Sequence, residues 1–171
     1  MLKSTDFKII WELMKDSRRS DGRLARVLGV SQPTVARKRT NLERNIIEGY
    51  TAVPKFDAIG FEIVAFTFVK SQVKHARREE KTEARGKARE WIMKQPNCVL
   101  ALNGEGMGWD GMCVSFHKDY SDYVEFKRMM TSQFSDWIQE CQSFIAETSQ
   151  KGVIKPFHFK YLVQANRSTE S

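Results

Sequence analysis

Apolar side chains at Phe7, Ile10, Leu13 and Met14 recur with the three-and-four spacing of an amphipathic helix, and Thr5 or Asp6 can cap its start. A second helix fits residues 21–28 with Leu24, Ala25 and Leu28 inward, and Gly29 supplies its left-handed stop. Ser31 then caps a third helix running to about Arg44, with Pro33 in the first turn, where its missing N–H costs nothing. Residues 45–53, β-branched and aromatic around Gly49, predict a short hairpin. Beyond a linker at 55–60, the period changes. Residues 61–70 read as a strand, 73–95 as a charged helix with a stripe of Ala76, Ala84, Ala88, Trp91 and Ile92, and 98–102 and 112–117 as strands. Tyr120, Tyr123, Met130, Phe134 and Trp137 line a further helix, and the alternation over 153–163 predicts a last strand. Residues 138–148 fit either an extension of that helix or a strand turning through 149–152 into the tail, and the hairpin is preferred.

The short segment from Ala25 to Val35 carries the first functional signal. A small residue lets two helices approach, Gly29 four positions on makes the turn, and Val35 six further on anchors the next helix, as a helix-turn-helix requires. Projected at about 100° per residue, Ser31, Val35, Leu42 and Ile46 fall on the core side of the third helix. Pro33, Arg37, Thr40 and Arg44 fall opposite, flanked by Ala36 and Asn41. An arginine on a groove-facing side can read guanine or hold phosphate, so Arg37 is the candidate base reader. Lys38, Arg39 and Arg44 are candidate phosphate contacts. With the helix start, the candidate DNA-binding set is Ser31, Gln32, Pro33, Thr34, Arg37, Lys38, Thr40, Asn41 and Arg44.

Charge strengthens this picture. The 171 residues carry a formal +7, yet residues 1–55 hold twelve basic and six acidic side chains, leaving sixteen against fifteen for the rest. A basic head on a nearly neutral body calls for an acidic partner, nucleic acid or an anionic membrane. Charges at Lys3, Asp6 and Lys8 interrupt any signal-peptide core, and the longest apolar stretch, 63–69, is far short of the ~20 residues that span a bilayer. Cys98, Cys113 and Cys141 are odd in number and widely spaced, which fits reduced thiols in a cytosol. His75, His117 and His158 show no metal spacing and adjoin no nucleophile motif, so no catalytic residue, metal or cofactor is expected.

The ordered series Asp6-x-Lys8-Ile9, Arg23-Leu24-Ala25, Gly29-Val30-Ser31, Val35-x-x-Lys38, Leu42-Glu43 and Ile47-x-Gly49-Tyr50-Thr51-Ala52 resembles the Lrp/AsnC (leucine-responsive regulatory protein) family. Arg39 departs from it by standing where an apolar residue is usual; its stem is expected along the core with its head in water. The resemblance implies an α+β chain: a winged helix-turn-helix over 1–54, then, over 61–165, a ferredoxin-like βαββαβ domain for effector binding and oligomerisation, and a flexible tail at 166–171. It also implies a cytoplasmic, nucleoid-associated regulator that binds double-stranded DNA as a homodimer, tetramer or octamer, with pseudo-palindromic sites and an amino-acid-like effector. In that family a glycine-containing turn ending in Asp lines the small-molecule site. The longer loop 103–111 makes Gly104, Gly106, Gly108 and Asp110 the effector candidates, with a plain turn as the alternative. Sirohaem decarboxylases share the architecture and supply the enzyme alternative, in which a histidine of the body would serve.

Overall fold

The computed structural model describes residues 2–72 and 78–167. It divides into two compact units, one formed by residues up to Val53 together with those from Pro156 on, the other by Pro54–Lys155.

In the first unit three helices, α1 (Ser4–Lys15), α2 (Asp21–Leu28) and α3 (Gln32–Asn45), enclose Ile9, Leu13, Leu24, Ala25, Val35 and Leu42. The buried stripe of α1 centres on Ile9 and Leu13, while Phe7 stays exposed, so the inward face is rotated from the expected one. Neither Thr5 nor Asp6 caps α1: the helix starts at Ser4, and Asp6, in its first turn, accepts the Lys3 backbone N–H at 2.7 Å. Gly29 adopts φ 67° after α2, and the Val30 N–H donates to the Ala25 carbonyl, closing that helix end. Ser31 then accepts the Thr34 N–H and starts α3. Ile46, expected inward, is exposed, because α3 ends at Asn45 and the next N–H to bond Leu42 brings Ile47 against the core instead.

Two other expectations change here. Residues 46–55 form no strand, so the wing is a loop, in which the Tyr50 hydroxyl donates to the Glu43 carboxylate at 2.9 Å. The tail is no strand either: residues 160–167 form a helix, α6 (Lys160–Arg167), packed on α1 with Val163 buried. Residues 168–171 of the expected flexible tail lie outside the described residues.

The second unit is an antiparallel sheet of β1 (Ile63–Ser71), β2 (Cys98–Gly106), β3 (Trp109–His117) and β4 (Ile138–Glu147) in the order β2-β3-β1-β4. With α4 (Arg78–Met93) and α5 (Tyr120–Gln133), it gives the expected βαββαβ order. The fourth strand is 138–147, paired with β1, and it occupies the edge that the tail would have needed. Ala65, Thr67, Cys113, Ser115 and His117 are buried with Tyr123, Phe126 and Met130 of α5. Ala84 of α4 is buried, Ala88 is exposed and Trp91 meets Phe126 and Phe134. Ala76 lies outside the described residues, as does Arg77 of the charged run. Residues 55–60, expected as linker, belong to this unit: a short 3-10 turn at Asp57–Ile59 follows Phe56, whose ring stacks on Phe116 at 4.1 Å.

Candidate nucleic-acid interface

The solvent face of α3 carries Gln32, Pro33, Arg37, Thr40, Asn41 and Arg44, all exposed, with Thr34 and Lys38 partly covered. This face exists because Val35 and Leu42, seven positions apart, are each fully buried and fix the rotation of the helix. Several polar groups on it are already engaged. Ser31 Oγ and Thr34 Oγ1 share a hydrogen bond of 2.8 Å, Thr40 Oγ1 donates to the Ala36 carbonyl, and Asn41 Oδ1 accepts from Asn45. Gln32 leans towards α2, its Oε1 lying 3.5 Å from where a Cβ on Gly22 would stand.

The cations divide into two groups. Arg37 and Arg44 are exposed and have no ionic partner among the described residues. Lys38 instead turns back to Asp6 of α1 at 2.6 Å and is only a fifth exposed; that hydrogen bond holds the Asp6 carboxyl below its usual range. Arg39 does not extend into water: its Nε donates to Glu43 at 2.9 Å, and one terminal nitrogen donates to the Arg19 carbonyl at 3.0 Å and to Asp21 at 3.2 Å. Its guanidinium also lies over the Tyr50 ring, 5.2 Å from the centroid. Burial opposes its charge, but hydrogen bonds to Glu43, Tyr50 and Asp21 outweigh that and raise its pKa. Hydrogen bonds from Tyr50 and Arg39 push the Glu43 carboxyl down, whereas burial raises the Tyr50 phenol.

The carboxylates of this arrangement were not read from sequence. Arg39 and Glu43 are four apart on one helix, a pattern visible in the chain, but Asp6 and Lys38 are brought together only by packing. Glu12 is a further case, buried in α1 yet paired with both Lys15 and Arg19. The second unit handles its own candidates differently. The segment 103–111 is no open loop, because β2 runs to Gly106 and β3 restarts at Trp109, leaving a tight turn with Met107 at φ 52° and Gly108 at φ 83°. Gly104 and Gly106 are exposed along β2, and Asp110 accepts both the backbone N–H and the hydroxyl of Ser71, at 2.6 and 2.9 Å. His117 is fully buried between Ser115 and Asn97, the His158 ring accepts the Lys160 N–H, and His75 lies outside the described residues.

With this geometry in place, comparison with known proteins decides the family. The AsnC-type helix-turn-helix domain matches residues 2–43, covering α1, α2 and α3 up to Glu43. An HTH-type transcriptional regulator of Pyrococcus abyssi is 31% identical over 133 residues, 77% of this chain and 84% of that protein. The chain belongs to the Lrp/AsnC family of transcriptional regulators. The leucine-responsive regulatory protein of Rhizobium meliloti is 38% identical over 69 residues, 40% of this chain and 44% of that one. The fold of this Lrp/AsnC protein matches a transcriptional regulator of Neisseria meningitidis, solved as a complex with L-Met, with a TM-score of 0.71 at 20% identity over 95% of this chain and 99% of the other. No described helix is long and apolar enough to cross a membrane.

Proposed function

We propose that this Lrp/AsnC regulator binds double-stranded DNA sequence-specifically by laying α3 in the major groove, with Arg37 reading bases and Arg44 holding phosphate. The observation that carries the reading is a pair of arginines with no ionic partner among the described residues, on the exposed side of a helix whose other cations are tied to carboxylates. A guanidinium already bonded to two carboxylates must break those bonds to reach DNA; Arg37 and Arg44 have none to break. Gln32, Pro33, Thr34, Thr40 and Asn41 complete the contact surface, with Ser31 shaping its start.

The protein acts as a homodimer, or a tetramer or octamer built from dimers, on pseudo-palindromic sites. Support for association comes from the outer face of the sheet, where Leu100, Leu102 and Phe144 are exposed beside Phe66 and Phe68, a face too apolar to stay wet. An amino-acid-like effector at the β2–β3 turn, near Gly104, Gly106, Gly108 and Asp110, is supported by the L-Met complex of the Neisseria regulator and by the family resemblance. The protein works as a regulator without catalysis: its relatives are named as regulators, and burial of His117 leaves it poorly placed to meet a sirohaem-sized substrate.

Selection from a random pool of duplexes tests this directly. The expected product is a motif with two-fold symmetry and half-sites about one helical turn, or a multiple of it, apart. Arg37→Ala should flatten the preference within each half-site, costing roughly 1–3 kcal/mol at the contacted position. Enrichment of no motif, or of one unaltered by Arg37→Ala, would overturn the reading. Adding L-methionine to the same binding assay examines the effector, for which a shift in affinity is expected.

A further inference from the structure

Arg39 is the most heavily tethered cation of the first unit. It sits mid-way along α3, its side chain a fifth exposed, and it reaches four separate pieces of chain. These are the α1–α2 turn through the Arg19 carbonyl, the first residue of α2 through Asp21, the last turn of α3 through Glu43, and the segment after α3 through the Tyr50 ring. Tyr50 closes the arrangement by donating its hydroxyl to the same Glu43 oxygen that Arg39 Nε contacts, both at 2.9 Å.

We infer that Arg39 is a positioning residue for DNA recognition: it clamps α3 to the start of α2 and folds Tyr50 over α3, and it makes no phosphate contact. The inference rests on the DNA-binding reading above and adds a role to a residue that a charge count would assign to the phosphate backbone. The physical ground is geometric. The planar fork presents donors in several fixed directions at once, and here they are spent on a carbonyl and two carboxylates that belong to different segments. A lysine ammonium can match the charge but cannot span these acceptors while stacking on an aromatic face. The rotation of α3 about its own axis is set by Val35 and Leu42, but its angle to α2 and the path of the chain after Ile46 are held by this fork.

The test measures affinity of the full chain for a selected duplex and a scrambled one over a salt series, for wild type, Arg39→Lys, Arg39→Met, Tyr50→Phe and, as a phosphate-contact reference, Arg44→Ala. A clamp predicts that Arg39→Lys and Arg39→Met both lose about tenfold in the ratio of selected to scrambled affinity, the equivalent of one charged hydrogen bond, with the salt slope unchanged. Tyr50→Phe, which keeps the ring and loses its hydroxyl, should lower the ratio by about threefold, also at unchanged slope. Arg44→Ala should instead reduce the slope by roughly 0.9. The clamp is overturned if Arg39→Lys behaves as wild type while Arg39→Met lowers the slope as Arg44→Ala does, the signature of a phosphate contact. Should the Arg39 variants fail to fold, Tyr50→Phe decides: an unchanged ratio rejects the clamp. Failure of wild type to bind any duplex would remove the DNA-binding reading itself, a result separate from loss of the clamp alone.

Discussion

His117 is fully buried against α5, with Nε2 2.8 Å from Ser115 Oγ, Nδ1 3.3 Å from Asn97 and 3.4 Å from the Asp122 carboxylate, and the rings of Tyr123 and Phe126 on its flanks. Burial lowers its pKa below 6.5, and Asp122 only partly counteracts that. The unfolded chain therefore takes up the proton at a higher pH than the folded one, so the stabilisation is present above about 6.5 and is lost as pH falls through the folded value. The melting temperature of wild type should drop between neutral pH and about pH 5 more than that of His117→Gln, in which nothing titrates at this site. Parallel curves for the two proteins would show that His117 contributes nothing. Cys98 is perturbed for another reason: its interaction with Cys113 pushes its thiol down to about 7 against the effect of burial, while Cys113 itself is driven up by Cys98 and by burial. Iodoacetamide should label Cys98 in the native protein at lower pH than an ordinary thiol, and faster than the buried Cys113, as peptide mass spectrometry would report. Equal labelling of both would contradict the assignment.

Local signals decided which elements could be read from the chain. The α2–turn–α3 segment was legible because Gly29, Ser31 and Pro33 act on their own neighbours, whatever the rest of the fold does. The ferredoxin-like order was legible from the changes of period. What misled was alternation without a partner: residues 153–163 look like a strand, but β4 already fills the edge of β1, Pro156 interrupts the run and Val163 is buried in the first unit through α6. The loop at 103–111 misled in the opposite way, since its glycines suit a loop and also suit the left-handed turn at Met107–Gly108 that joins two longer strands. The candidate interface divided along the same line. Arg37 and Arg44 followed from helical projection, whereas the engagement of Lys38 depends on Asp6, thirty-two residues away. Gly152 provides a test at this scale. A Cβ there would lie 2.2 Å from the Glu147 carbonyl oxygen, and the turn is held by the Gly152 and Val153 N–H groups donating to the Ser149 carbonyl. Gly152→Ala should lower stability by roughly 1–3 kcal/mol in urea unfolding, and an unchanged midpoint would show that the turn adjusts freely.

At the scale of the whole molecule, the formal +7 is unevenly held, and pairing narrows it further. Of the eight cations between residues 17 and 45, Arg18, Arg19, Lys38 and Arg39 have acidic partners, whereas Arg37 and Arg44 stand open on one helix and Arg23 and Arg26 stand exposed on another. The anion-seeking part of this Lrp/AsnC regulator is thus a small set of arginines, and its DNA affinity should have a correspondingly defined electrostatic component. The decisive measurement is the affinity of wild type and Arg44→Ala for a selected duplex as a function of salt concentration. The account predicts that log affinity falls linearly with log salt and that Arg44→Ala lowers the steepness by roughly 0.9, the loss of one phosphate contact. Absence of binding at low salt, or a slope that Arg44→Ala leaves untouched, would contradict it.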